Sequence, residues 1–265
     1  MFKMVLVGNC QVAEYAKMIN DSRIEVVAIE VWKYKERESF DNLYESEVSK
    51  ADIVISQPLS NHYSKLSFEF LQNNTSNLIL IHNLYLQTFV PDCAYIGPMG
   101  GRIKSLMGTY HSSVIYENWL KSNSFGTAVD QIMNYSVEAI QKTELKNREE
   151  LLQREKNVTI PCSDLLLDYQ SSYNFFHVFN HPTVELLRIY LSRVMKEIDV
   201  NVNLREIDDP LVQYGQFPIY TTVQEYFNIK SDRTKFKHNN FNELSVKDFV
   251  AESFSFYDRN ANKNN

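Results

Sequence analysis

Short apolar runs alternate with amphipathic stretches through the first third of the chain. Four runs rich in Val, Ile and Leu predict buried strands, and they are Met4–Val7, Ile24–Trp32, Ala51–Ser56 and Asn77–Ile81. Three segments between these runs predict helices, and they are Gln11–Asn20, Ser39–Lys50 and His62–Leu71. Gln11–Asn20 carries apolar residues at helical spacing. Strands that are apolar throughout and alternate with helices pair in parallel. The pattern therefore predicts an α/β fold with a doubly wound, mostly parallel sheet.

The middle of the chain changes character. Pro91–Gly108 holds four of the seven glycines and predicts a long loop beside the carboxyl edge of the sheet. Tyr110–Leu120 is predicted to be helical, and Thr127–Lys156 to form one long helix. On the apolar stripe of that helix, Glu144 and Arg148 lie four residues apart, as a simple ion pair or facing a ligand. These elements predict a helical insertion at about 102–157.

A further strand and helix close the predicted domain. Phe175–Phe179 reads as a strand, and a helix with one apolar face follows Asn180-His181-Pro182-Thr183. Pro182 suits a first helical position, where the missing N–H has no partner to lose. We predict a single α/β domain over residues 1–257 and a frayed polar tail over 258–265.

Composition and charge narrow the class of protein. The chain has 265 residues, 44% of them hydrophobic, and a formal net charge of −6, which argues against nucleic-acid binding. No segment approaches the roughly 18 apolar residues of a membrane span, and no signal peptide is recognisable. Three cysteines without a CxxC pair favour free thiols in a cytoplasmic protein, with neither a disulfide scaffold nor a metal cluster. Self-association is left open by these features.

Cys10 is the sharpest chemical candidate. It lies in Gly8-Asn9-Cys10-Gln11, between the first strand and a helix, at the edge where open α/β sheets bind ligands. The N–H groups and dipole of the helix would lower the thiol pKa and could stabilise an oxyanion. A small buried cysteine that fills space at a turn is the alternative.

His181 occupies an equivalent place after the late strand. If that strand is a parallel neighbour of the first, Cys10 and His181 emerge at the same edge as a nucleophile and its base. Gln57 and Asn83 each follow a strand end and offer side-chain N–H donors, although Asn83 also fits an ordinary turn. His111 could reach a ligand or cap a helix, and Arg102 in the glycine-rich segment could approach a phosphate. That segment fits neither the dinucleotide fingerprint nor the P-loop.

Five short motifs together resemble a known family. They are Gly8-Asn9-Cys10-Gln11, Ser56-Gln57, Tyr110-His111-Ser112, Arg148-Glu149 and Asn180-His181-Pro182-Thr183. In this order they look like the capsular polysaccharide biosynthesis family typified by WcbI, over the chain from its N-terminus to about residue 230.

The resemblance implies an acetyltransferase that moves an acetyl group from acetyl-coenzyme A to a sugar hydroxyl of a capsular or surface polysaccharide. It also implies an SGNH-like or flavodoxin-like fold. In that comparison Cys10 stands in the place of the SGNH serine, His181 in that of its base, and Gln57 near an oxyanion donor. Gly8, Asn9, Gln11, Asn83, Arg102, His111, Arg148 and Asn180 would line the substrate sites. The acid expected three residues before the histidine is Val178, so no full triad is present.

Other functions stay open on the residues alone. The same sheet edge could serve a thiol-dependent esterase or deacetylase acting on acylated sugars. It could also serve a non-catalytic module that binds a sugar or nucleotide. Within the transferase reading, Cys10 either carries the acetyl group or lies beside the thioester while His181 activates the acceptor.

Overall fold

The computed structural model describes residues 1–98, 100–209 and 211–261. Within it the chain contacts cluster into two compact units. The first unit comprises residues 1–84, 149–167 and 184–210, and the second comprises 85–148, 168–183 and 211–265. The prediction of a single domain stays a prediction.

The described residues form ten strands and eleven α-helices. The strands are β1 Phe2–Gly8, β2 Ile24–Glu30, β3 Ile53–Ser56, β4 Leu78–Leu80, β5 Cys93–Tyr95, β6 Tyr110–Ser112, β7 Phe176–Val178, β8 His181–Pro182, β9 Phe236–His238 and β10 Asn242–Leu244. The α-helices are α1 Cys10–Met18, α2 Arg37–Ser46, α3 Phe68–Asn74, α4 Ser113–Leu120, α5 Phe125–Met133, α6 Val137–Glu155, α7 Ser163–Leu166, α8 Tyr169–Ser172, α9 Val184–Glu197, α10 Thr221–Phe227 and α11 Val246–Ala261. Short 3-10 helices cover Val31–Lys33, Val48–Lys50, Asn61–Leu66 and Val212–Tyr214.

The first unit is built on a parallel four-stranded sheet of order β2-β1-β3-β4. In its register Leu6 lies between Ala28 and Ile55, and Gly8 lies beside Glu30. The prediction of an α/β fold with parallel strands is confirmed here. Because β1, β3 and β4 are only three to seven residues long and almost wholly apolar, they are stable only when both sheet faces are covered.

The side of β1 on which successive strands are added changes after β2. β2 lies on one side of β1, whereas β3 and β4 follow on the other. Right-handed crossovers then place α1 on one face and α2 and α3 on the opposite face. Val5 and Val7 of β1 share a buried cluster with Phe40 of α2 and Leu71 of α3, while α1 packs on α9. The carboxyl ends of β1 and β3 therefore form a topological switch point.

The second unit contains three two-stranded antiparallel pairs, β5 with β6, β7 with β8 and β9 with β10. The expectation that the strand before His181 is a parallel neighbour of β1 is wrong, because β7 turns back at once and pairs with β8. Pro182 lies in β8 rather than in a first helical turn, and α9 begins at Val184.

Capping groups break two predicted helices. The predicted helix Thr127–Lys156 is interrupted after Met133, since Ser136 accepts a hydrogen bond from the Ala139 N–H and starts α6 afresh. Ser67 likewise accepts from the Phe70 N–H and separates α3 from the 3-10 turn before it.

Three other segments differ from their predictions or extend them. The predicted long loop contains β5, which pairs with Tyr110–Ser112 and so removes those residues from the predicted helix. Helix α11 continues through Ala261 into the predicted frayed tail, and residues 262–265 lie outside the described part. Among the described residues, no helix combines the length and the apolar character that crossing a bilayer requires.

Candidate functional site

The turn from β1 into α1 presents Cys10 at the first position of a helix. Asn9 is the N-cap, and its Oδ1 accepts a hydrogen bond from the Gln11 N–H at 3.0 Å. Gly8 is required for close packing, because a Cβ at this position would lie 2.6 Å from Gln57 Oε1 and 2.9 Å from Val12 Cγ1. The sequence thus folds into a tight turn that aims Cys10 at the switch point of the sheet.

Side-chain amides from three segments enclose this turn, and we call Asn9, Gln11, Gln57 and Asn83 the amide cluster. Gln57 Oε1 accepts from the Asn9 N–H at 2.9 Å, and its Nε2 donates to Asn9 Oδ1 and Gln11 Oε1. Asn83 Oδ1 accepts from Asn9 Nδ2 at 2.8 Å. The cluster is therefore one connected network across the carboxyl ends of β1, β3 and β4.

Gln11 fastens the cluster to the backbone after β4. Its side chain is fully buried, donates to the Leu84 carbonyl at 2.8 Å and accepts from the Leu84 N–H at 3.0 Å. A buried amide that exchanges two hydrogen bonds with one residue holds its partner in a single orientation. The prediction that residues 8–11, Gln57 and Asn83 lie together agrees with this geometry.

The Cys10 thiol is half-buried and harder to ionise than an ordinary thiol. Desolvation raises its pKa to about 11, and the charges of Glu30 and Glu14 add to the increase. Backbone N–H groups of Cys10 and Gln11 oppose it, but more weakly. The helix N-terminus thus acts as predicted on the sulfur, yet the expected lowering of the thiol pKa is wrong because burial outweighs it.

Glu30 was not identified from the sequence. It ends β2 beside Gly8, and its carboxylate accepts from Trp32 Nε1 at 3.1 Å and from Lys33 Nζ at 2.5 Å. In dinucleotide-binding α/β folds an acidic residue about 20 positions after the first turn binds a ribose hydroxyl, and Glu30 has a similar position.

In the second unit, His181 and Asn180 lie in what we call the tyrosine–histidine cluster, which also includes Tyr95, Tyr110 and Arg102. Tyr110 OH lies 3.0 Å from His181 Nε2 and 2.8 Å from Asn180 Oδ1, and Asn180 Nδ2 donates to Tyr95 OH at 3.0 Å. The Arg102 guanidinium lies 3.4 Å above the Tyr95 ring. The structure therefore joins three predicted site residues through two tyrosines.

Neither tyrosine was singled out, although Tyr110 belonged to one of the quoted motifs. Their role depends on the β5–β6 pairing, which sets Tyr95 opposite Tyr110. Because a long loop was predicted there, the sequence offered no reason to bring the two hydroxyls together.

Two other predicted site residues lie in different surroundings. His111 is buried, with Nδ1 2.8 Å from Tyr257 OH and Nε2 3.1 Å from the Ile103 carbonyl, so both ring nitrogens are engaged inside the second unit. Arg148 is exposed on α6. Its charge opposes the rise in the pKa of Tyr169 that burial causes, and the Tyr169 hydroxyl donates to Glu144 at 2.9 Å. Substrate binding by His111 and Arg148 stays a prediction. The pairing of Cys10 with His181 also stays a prediction, and the two residues belong to different units.

Comparison with known proteins identifies the family. The sequence model of the polysaccharide biosynthesis enzyme WcbI matches residues 3–203, which is most of the chain. The chain belongs to the WcbI family of polysaccharide biosynthesis enzymes. This confirms the resemblance found in the five motifs.

A solved structure of WcbI itself has the same fold as this family member. The two share 20% sequence identity with a TM-score of 0.80, over 97% of this chain and 90% of the other. That structure is of a novel polysaccharide biosynthesis enzyme, in a native form without the disulfide bond between coenzyme A and a cysteine. No curated protein matches the chain.

Proposed function

We propose that this protein is an O-acetyltransferase that moves an acetyl group from acetyl-coenzyme A to a sugar hydroxyl during capsular or surface polysaccharide biosynthesis. The observation that carries the proposal is Cys10 at the head of α1, enclosed by the amide cluster at the switch point of a parallel sheet. A thiol among backbone and side-chain N–H donors suits acyl transfer, where negative charge develops on a carbonyl oxygen.

Acetyl-coenzyme A is the proposed donor because the solved WcbI structure is distinguished by the absence of a disulfide bond between coenzyme A and a cysteine. We assign the pantetheine end of coenzyme A to the Cys10 turn. Arg102, with Lys104 close by in sequence, is the proposed contact for its phosphates, since a guanidinium forks onto phosphate oxygens. The saccharide acceptor and the cytoplasmic location belong to the same proposal, as does an acetyl-transfer step that uses no metal ion.

The fold contributes to the proposal in a second way. The strand order β2-β1-β3-β4 equals the first four positions of the flavodoxin-like order, in which the ligand binds at the β1/β3 switch point. An SGNH-like reading places Cys10 at the nucleophile position and Gln57 near the oxyanion. His181 would then be the base for the acceptor hydroxyl, with its ring held by Tyr110.

Two routes for the acetyl group differ in the role of Cys10. In the covalent route the Cys10 sulfur attacks the thioester carbonyl, and coenzyme A leaves as the thiol with the Cys10 proton. The sugar oxygen then displaces the sulfur, and the hydroxyl proton passes to Cys10, which restores its thiol. In the direct route the sugar oxygen attacks the thioester, and its proton passes through a base to coenzyme A. The raised pKa of Cys10 favours the direct route, because a thiol with a pKa about 11 is neutral near pH 7.

Substitution of Cys10 tests the assignment of the site. We expect Cys10→Ala to reduce acetyl transfer at least tenfold through lost positioning of the thioester, and Cys10→Ser to retain much of the rate by the direct route. The measurement is coenzyme A release with a mixture of sugar acceptors, followed by mass spectrometry of the products. Cys93→Ala, at a buried thiol of the second unit, is the control.

The outcomes distinguish the covalent from the direct route, and they also test whether the protein is an acetyltransferase. Loss of activity in Cys10→Ser, with an acetyl adduct on wild-type Cys10, would select the covalent route. Unchanged transfer in Cys10→Ala would exclude this turn as the site. Hydrolysis of a model ester without thermal stabilisation by coenzyme A would instead support the esterase.

A further inference from the structure

A second group of reactive side chains lies in the first unit, away from Cys10 in sequence. His82 follows β4, Glu155 ends α6 and Cys162 precedes α7. One ligand atom of each residue lies within 4.8 Å of the other two. Nitrogen, carboxylate oxygen and thiolate sulfur together are the donor set that zinc takes in proteins, whereas calcium and magnesium prefer oxygen alone.

The His82 ring points an unused nitrogen into this group. His82 is 1% exposed, and its Nε2 has no hydrogen-bond partner. Glu155 Oε1 is 3.6 Å from that nitrogen, which exceeds a hydrogen bond. A buried polar atom left without a partner destabilises the folded state, and a metal ion at its lone pair would remove that cost.

The carboxylate is held in place as a ligand would be. Glu155 Oε1 accepts hydrogen bonds of 2.7 Å from the N–H groups of both Cys162 and Ser163. Hydrogen bonds of this kind orient the ligands of protein metal sites.

The other two groups are enclosed by protein, since both His82 and Cys162 are buried. A divalent ion would displace the thiol proton, after which thiolate and carboxylate neutralise the two positive charges.

We propose that His82, Glu155 and Cys162 bind a divalent transition-metal ion of the zinc class. The ion has a positioning role, since His82 directly precedes Asn83 and Leu84, which bind Asn9 and Gln11.

Metal content and cobalt spectroscopy test the site. Chelator-treated protein is dialysed against Zn²⁺ or Co²⁺, freed of excess ion and analysed for metal. We expect one ion per chain and, for Co²⁺, a thiolate-to-metal charge-transfer band. Binding should release about one proton per ion, measured by calorimetry in buffers of different ionisation enthalpy.

Matched variants assign the ligands. His82→Gln and Cys162→Ser should lose the bound ion and the charge-transfer band. Cys93→Ser, at a buried thiol of the other unit, and His62→Gln, at an exposed histidine, should keep both. Cys10→Ala should also keep both, which separates this site from the proposed acetyl-transfer site.

Wild-type protein keeps the proposal testable even if a variant fails to fold. Zn²⁺ at a hundredfold excess over its Kd should raise unfolding stability by about 2.7 kcal/mol, and a chelator should reverse the gain. Absence of stoichiometric metal in the wild type, or a charge-transfer band that survives in Cys162→Ser, would overturn the proposal. Both results are independent of acetyl transfer.

Discussion

At the scale of single residues, burial decides chemistry that sequence position alone does not. Cys10 has the helix N-terminus that the sequence predicts, and the backbone N–H groups of Cys10 and Gln11 act to lower its thiol pKa. The surrounding apolar strands and Glu30 nevertheless make ionisation unfavourable. The sequence position identifies Cys10 as the candidate, whereas the residues around it set the protonation state of its thiol.

Gly8 provides a stability test of the same turn. We expect Gly8→Ala to destabilise the protein by about 1–3 kcal/mol, because the new Cβ overlaps Gln57 and Val12 and must displace the buried amide cluster. The measurement is urea unfolding together with acetyl transfer.

Gly126→Ala in α5 is the matched control for Gly8→Ala. Its Cβ would meet only Ser124 Oγ at 3.5 Å, so a gain of about 0.5–1 kcal/mol is expected. Equal effects of the two substitutions would contradict the assigned close packing at Gly8.

Asp92 predicts a pH dependence of stability. This buried carboxyl accepts hydrogen bonds from Ser112 and Tyr220, but desolvation prevails and raises its pKa to about 6. The folded state then binds the proton more tightly than the unfolded state. Stability is lost as pH rises from about 4 to about 6, by roughly 3 kcal/mol for a shift of about two units.

Asp92→Asn should therefore gain stability relative to wild type by about 2–3 kcal/mol between pH 4 and pH 8. Urea unfolding at several pH values measures the difference. Asp208→Asn, at an exposed carboxylate, should give a difference that does not change with pH. A flat profile for Asp92→Asn would show that the carboxyl does not titrate in this window.

At the scale of elements, helix caps and backbone pairing interrupt helices that apolar periodicity predicts to be continuous. Ser136 and Ser67 start helices inside segments whose apolar spacing continues across the break. The predicted strand Phe175–Phe179 is present as β7, but β8 replaces the predicted helix start and carries the candidate His181.

Arg233 secures that hairpin and provides a prediction for this scale. Its guanidinium donates to the carbonyls of Phe176, His177 and Phe217 at 2.6, 3.1 and 2.8 Å, and desolvation lowers its pKa to about 10. Arg233→Met leaves three carbonyls without charged donors and should cost about 2–4 kcal/mol. Urea unfolding is the measurement. Arg259→Met, at an exposed position of α11, should change stability by less than about 0.5 kcal/mol.

At the scale of the whole molecule, the net charge predicts that the protein does not bind nucleic acid. With a formal net charge of −6, we expect no binding of single-stranded DNA or RNA tighter than about 10 µM at physiological salt. Fluorescence anisotropy with labelled oligonucleotides, at low and at physiological salt, measures this. A tighter, salt-sensitive Kd would reveal a basic surface that the overall composition conceals.

The sequence by itself determined the parallel α/β core and the family, because apolar strands, helical spacing and the Gly8-Asn9-Cys10-Gln11 turn are local patterns. It also placed Gln57 and Asn83 at strand ends, which meet at one edge of a parallel sheet. Tertiary structure alone decided the thiol pKa, the Tyr95–Tyr110 partnership and the approach of His82 to Glu155 and Cys162. Those features depend on contacts between residues up to 80 positions apart and on desolvation, which no local pattern encodes.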